Sequence, residues 1–257
     1  MKFVIGRTLT ILSWDNPVTA FFRKSRKLRH SLGRPSRSDF VQFEVYEVTE
    51  VIVVSYGNKF FKKSRDYKPL YKSLENQVGK EKATEIFDLA GRELDNIMSE
   101  FANVPKGERN HTDNYIFPRV ALYRILKKEF GGSAIGMIDE VINIQGEKMG
   151  NLLRKFTALP FMEKIFLKVF SSMAKNMFGE KNGFAQKFYS SPKGAIKFDI
   201  LDCTYCRYCK LCECPELIHT FCNTDSYCFG NLSKIVFTRE ETLEVGKKCD
   251  FTLTISK

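Results

Sequence analysis

Histidine and tryptophan are scarce in these 257 residues: His30, His111 and His219 show no metal-ligand spacing, and Trp14 stands alone. Cysteine is missing from the first 202 residues. No apolar run reaches the ~20 residues that a membrane-spanning helix needs. There is no glycine fingerprint for dinucleotides, no P-loop and no nucleophile elbow, which removes the simplest nucleotide-binding and α/β-hydrolase readings. The opening MKFVIGRTLTILSW makes a poor export signal, because Arg7 breaks the apolar stretch and no small-residue cleavage site follows. The expected compartment is therefore the cytoplasm, where thiols stay reduced and disulfides are not expected.

What is present is an ordinary globular composition, 43% hydrophobic and 28% charged, with 23 phenylalanines to fill a core. The net charge of +11 is uneven. Residues 1–37 hold nine basic residues against Asp15 alone, a net +8, so the other 220 residues carry only +3. Residues 1–37 read as a basic N-terminal extension, solvated and dispensable for folding, with weak contact to an anionic membrane as its one expected interaction. Nucleic acid is not an expected partner.

Residues 38–257 read as a single α+β domain. FVQFEVYEVTEVIVVSY, residues 40–56, is rich in Val, Phe and Tyr and fits either a strand or a helix. From about 68 to 178 the periodicity is helical. Ala83, Ile86, Phe87, Ala90, Leu94, Ile97, Met98 and Phe101 form one stripe over 80–102. The loop NVPKGERNHTDN follows, and Pro118 then opens a helix that stops at Gly131-Gly132. A third helix spans about 134–155, weakened by Gly146 and Gly150. A fourth, 160–178, is apolar over most of its surface and is expected to be buried. At Gly183 the pattern changes to two strands around Pro192-Lys193-Gly194, a helical cysteine segment interrupted at Pro215, and two strands in KIVFTRE and CDFTLTIS. Helices and strands are segregated, so the fold class is α+β: a helical N-terminal half, then a four-stranded antiparallel sheet over about 184–257 with the cysteine helices packed on it.

All eight cysteines lie between Cys203 and Cys249. Cys203, Cys206, Cys209 and Cys212 follow at steps of three, with Cys214 two further on. Thiolates suit zinc or an iron–sulfur cluster, but steps of three on a helix cannot wrap four ligands around one ion, so a metal would require a loop here. Otherwise Cys206, Cys209, Cys212, Cys214 and Cys228 are small buried hydrophobes.

A second pattern carries more. Cys203 closes a strand and precedes Tyr205. Pro215-Glu216-Leu217 follows, then Cys222 with Asp225, Arg239 with Thr242, Gly246, and Cys249-Asp250-Phe251. In this order and spacing the chain resembles the L-2-amino-thiazoline-4-carboxylic acid hydrolase family over about 195–257, and more faintly over YKSLENQVGKEKATEI and the NHTDN loop. It departs from that family at Thr252, where Arg is common, and in the extra thiols Cys206, Cys209, Cys212 and Cys214.

The resemblance implies a hydrolase that opens a cyclic amidine at its C–N bond, for example converting 2-aminothiazoline-4-carboxylate to an N-carbamoyl cysteine. It implies a small-molecule substrate and requires no cofactor. Cys203, Cys222, Asp225 and Cys249 are the catalytic candidates. Cys203 or Cys222 would be the nucleophile or would hold a metal that activates water, and Asp225 the base or the group that orients the amidine. Tyr205 would line the substrate, and Arg239 would clamp its carboxylate. The residues alone also admit a non-catalytic module that senses a small molecule, a metal or redox state through its thiols, and a peripheral membrane protein led by the basic arm. Oligomeric state is left open.

Overall fold

A computed structural model describes residues 55–256. The basic extension, most of the 40–56 segment and the expectations attached to them lie outside the described residues.

The described chain begins with α1 (Tyr56–Lys63), α2 (Lys68–Val78) and α3 (Lys80–Glu100). The apolar stripe of α3 is its buried face, from Ala83 through Ile86, Phe87, Ala90 and Leu94 to Ile97. The segment expected to be a loop instead coils tightly. One turn, α4 (Arg109–His111), runs into a π-helical turn (Thr112–Ile116) that leads directly into α5 (Phe117–Phe130). Thr112 Oγ1 lies within hydrogen-bonding reach of the Glu108 and Arg109 carbonyls, at 3.4 Å each, and so supplies local partners that a polar sequence does not advertise. Pro118 occupies the first turn of α5, where its missing N–H costs nothing, and Gly131 ends the helix at φ 59°.

α6 (Ala134–Ala158) keeps both of its glycines for packing. A Cβ on Gly146 would stand 2.5 Å from Tyr227 Cβ, and one on Gly150 2.5 Å from the Tyr227 carbonyl. The close approach of α9 (Leu217–Phe229) to α6 offsets the propensity lost. α7 (Met162–Met177) corrects the expectation of a buried helix. Phe166, Leu167, Phe170 and Ala174 face inward, whereas Phe161, Ile165, Val169 and Met173 are exposed.

After Gly183, β1 (Ala185–Tyr189) and β2 (Ala195–Asp202) pair around Gly194. α8 (Thr204–Leu211) and α9 follow, then β3 (Ile235–Thr238) and β4 (Cys249–Ile255). The sheet is antiparallel throughout, in the order β1-β2-β4-β3. The fold is α+β.

Two cores result. The helical core joins α1–α3, α5, α6, α8 and the start of α9. The sheet core joins α7 with the inner faces of β2, β3 and β4, where Phe198 stacks between Phe188 and Phe251 at 4.7 and 4.8 Å. The cysteine helices therefore turn their buried thiols to the helical core, and α7 is the helix that covers the sheet. Steps of three put Cys206 and Cys209 on one face of α8, and that face follows the larger apolar surface. Cys203, Tyr205 and Leu243 pack against both cores and mark the seam between them.

Candidate active site at the seam of two cores

β2 delivers Cys203 to this seam, where an extended backbone (φ −128°) lets it precede the first turn of α8. The β2–β4 register pairs Ile200 with Cys249, so Cys249 begins the neighbouring strand just before β2 ends. Cys222 and Asp225 are one helical turn apart on α9 and share a face.

The Arg-x-x-Thr and Cys-Asp-Phe segments fold as one unit. Asp250 accepts the Glu240 N–H at 3.1 Å and the Glu241 N–H at 2.6 Å, and the Gly246 N–H reaches the Thr242 carbonyl at 2.8 Å. A Cβ on Gly246 would meet the Glu241 side chain. This loop aims the Leu243 N–H at Cys249 Sγ, 3.1 Å away. It also presents Arg239, whose side chain is 9% exposed. Arg239 Nη1 donates to Asp225 Oδ2 at 2.8 Å and Nη2 to the Cys222 carbonyl at 2.8 Å.

The structure thus brings Cys222, Asp225, Arg239 and Cys249 together, with Cys203 close enough to feel the charge of Cys249. The three thiols differ. Cys222 donates to Cys249, which together with burial raises the Cys222 pKa. The same hydrogen bond lowers the Cys249 pKa against the cost of burial, and the Leu243 N–H and the Arg239 charge add to it. Cys203 is pushed well up by its hydrogen bond to Cys206 and by burial. Asp225 keeps 27% side-chain exposure, yet its carboxyl lies deep among protein atoms. Burial raises its pKa to about 6, and Arg239 holds it from rising further. A carboxyl in that range can exchange protons near neutrality.

Tyr205 joins this group to a second. Its hydroxyl lies 3.0 Å from His111 Nδ1, its ring packs on Phe221 at 4.8 Å, and burial raises its pKa. The Arg119 guanidinium sits 3.8 Å over the Phe221 ring. Sequence reasoning passed over both His111 and Arg119. His111 stands in the NHTDN loop, which was the available signal. Arg119 was legible only as a charge within the otherwise apolar run FPRVAL.

Four of the remaining thiols are packing residues; the fifth, Cys228 on α9, is only half-buried and belongs to neither core, which corrects its expected burial. Cys206, Cys209, Cys212 and Cys214 are buried free thiols of the helical core. Burial raises the Cys209 pKa and takes Cys212 to about 12. Among the described residues no three His, Cys, Asp or Glu side chains are grouped to hold a metal ion. These residues do not fit zinc or an iron–sulfur cluster. No described helix is long and apolar enough to cross a membrane.

No curated protein and no solved structure matches the chain. The model of the L-2-amino-thiazoline-4-carboxylic acid hydrolase family matches residues 109–253, a stretch that begins at α4 and includes every residue of the seam described above. That match covers more than half of the chain and places it: the protein belongs to the L-2-amino-thiazoline-4-carboxylic acid hydrolase family.

Proposed function

We propose that the protein hydrolyses a small cyclic amidine carboxylate of the kind its family is named for, with Cys249 as nucleophile and Asp225 as base. The observation that carries this reading is the cluster itself: the Leu243 N–H points at Cys249 Sγ at 3.1 Å, Arg239 holds Asp225 at 2.8 Å, the Cys249 pKa is lowered and burial raises that of Asp225 to about 6.

The product dictates which bond breaks. An N-carbamoyl cysteine keeps both nitrogens on the former ring carbon, so the bond lost is the ring C–S bond, and the ring C=N bond becomes single. That corrects the expectation that a C–N bond is opened. In the first step the Cys249 thiolate bonds to the carbon of the protonated amidine, and the C–S electron pair departs with the ring sulfur. In the second, the Asp225 carboxylate removes a proton from water as the water oxygen bonds to the same carbon. The bond to Cys249 then breaks and its electron pair returns to the thiolate. The proton on Asp225 passes to the freed substrate thiolate, and the proton left on the carbamoyl oxygen is released to solvent. Both Nη groups of Arg239 are engaged by Asp225 and Cys222, so Arg239 acts here by positioning the base.

The test is incubation of the purified full-length protein with L-2-amino-thiazoline-4-carboxylate, following thiol release by colorimetry and N-carbamoyl-cysteine by mass spectrometry. Stoichiometric appearance of both is expected, and no turnover by the wild-type chain would sink the reading. A second reading rests on the Cys222–Cys249 contact: a thiol pair that cycles to a disulfide and senses redox state without catalysis. Reversible loss of two titratable thiols under mild peroxide, in a chain without hydrolytic turnover, would favour it.

A further inference from the structure

Arg119 is a buried cation with nothing assigned to it. It lies on α5 with 8% exposure, and Nη1 has no hydrogen-bond partner. A guanidinium in this position is costly unless something pairs with it. Its neighbours are aromatic or neutral: the Phe221 ring beneath it, the Tyr67 hydroxyl that shares a hydrogen bond with it, and the Tyr205 hydroxyl nearby.

Arg119 also lines a cavity of about 40 Å³ between the segment that leads into α2, the π-helical turn, α5 and α6. Arg119, Tyr67, Ile138, Val141 and Ile142 line its buried part, and Asp66, Asn114 and Tyr115 are its exposed lining. Gln145 completes the wall, with Nε2 donating to the Asp66 carbonyl at 2.9 Å. This volume takes a carboxylate head and leaves the rest of a ligand toward the exposed side. Asn114 and Tyr115 belong to the π-helical turn, a local irregularity that often accompanies binding sites. Phe221, which carries the guanidinium, directly precedes Cys222 of the reactive thiol pair.

We propose that this cavity is a carboxylate subsite in which Arg119 pairs with the acid group of a small ligand, with Asn114, Tyr115 and Gln145 as its neutral polar neighbours. Asp66 at the mouth repels a simple anion, so the site selects an acid whose other end is cationic, such as an amidine carboxylate. For the identity of the acid, this inference rests on the hydrolase reading. The subsite itself stands on the cavity and on the buried guanidinium, whose Nη1 has no hydrogen-bond partner.

The experiment compares L-2-amino-thiazoline-4-carboxylate with 2-amino-2-thiazoline, the same ring without the acid, by calorimetric titration of the full chain. The carboxylate should bind at least tenfold more tightly. Arg119→Lys keeps the charge but loses the planar fork, and should weaken binding of the carboxylate by about ten- to a hundredfold. Gln145→Leu, at a partly exposed wall position, should weaken it by a smaller factor, and neither variant should alter binding of 2-amino-2-thiazoline. Should Arg119→Lys fail to fold, the two-ligand comparison in the wild type and the Gln145→Leu variant still decide. Equal affinity for the two ligands, or unchanged carboxylate affinity in folded variants, would overturn the subsite. Turnover in a chain whose carboxylate affinity is indifferent to Arg119→Lys would overturn it while leaving the hydrolase reading intact. Arg119-dependent binding without turnover would do the reverse.

Discussion

Two sets of cysteines lie within one short stretch of chain and behave as different residues. On α8 and just after it, Cys206, Cys209, Cys212 and Cys214 sink into the helical core, where desolvation works against a thiolate at Cys209, Cys212 and Cys214. At the seam, Cys249 is also only 6% exposed, yet its pKa is lowered. Burial is common to both sets. What differs is the partners: Cys249 receives the Cys222 S–H and the Leu243 N–H and lies near the Arg239 cation. The direction of a thiol's pKa shift in this protein follows the hydrogen-bond donors and charges around the sulfur, and burial alone is no guide to it.

The sharpest way to break this comparison is to remove one thiol from each set. Cys249→Ala should reduce hydrolysis about a thousandfold or more, as expected for a lost nucleophile. Cys209→Ala should leave kcat within about twofold, because the sulfur it removes lies in the helical core. Equal losses in the two variants, measured by thiol release at saturating substrate, would erase the distinction.

Asp225→Asn comes next, with an expected loss of about 10²- to 10³-fold in kcat. In the wild type kcat/KM should rise with pH through about 6 as Asp225 ionises to its basic form, and the variant should lack that limb. Stability gives an independent reading. The folded pKa, about 6, lies above the ordinary 3.8, so the folded state holds this proton more tightly than the unfolded chain does. Stability therefore declines as pH rises from about 4 to 6, and a melting-temperature series for Asp225→Asn should be flatter across that window.

Arg239→Gln should act less severely and in a particular direction. With its cation gone, burial alone sets the Asp225 pKa, and the ascending limb should move to higher pH, with most of the activity recovered there. A uniform fall in kcat with no displacement of the limb would assign Arg239 to the substrate instead. The smallest effect belongs to the packing set. Cys209→Ser buries a hydroxyl in an apolar site and should cost about 1–3 kcal/mol in denaturant unfolding with kinetics unchanged.

Much of the fold was legible because its signals are local. The stripe of α3, Pro118 opening α5, the Gly131 stop and the turn at Gly194 each act within a few residues. The spacing of Cys203, Cys222, Asp225, Arg239 and Cys249 identified the family. Patterning misled where a partner was needed. α7 is apolar around most of its surface, but only the side that meets the sheet, α6 and Phe229 is covered. Gly146 and Gly150 read as weak points until Tyr227 of α9 closes on them.

For the site itself, the sequence determined which residue types are present and the order in which they come. Tertiary structure decided their chemistry. The pKa of a thiol or a carboxyl depends on donors and charges that arrive from distant parts of the chain, and one-dimensional spacing does not record them. That is why the pKa of Cys249 is lowered where that of Cys203 is raised, why Arg239 is bound to Asp225, and why Arg119, one charge in an apolar helix, keeps a buried Nη1 without a hydrogen-bond partner.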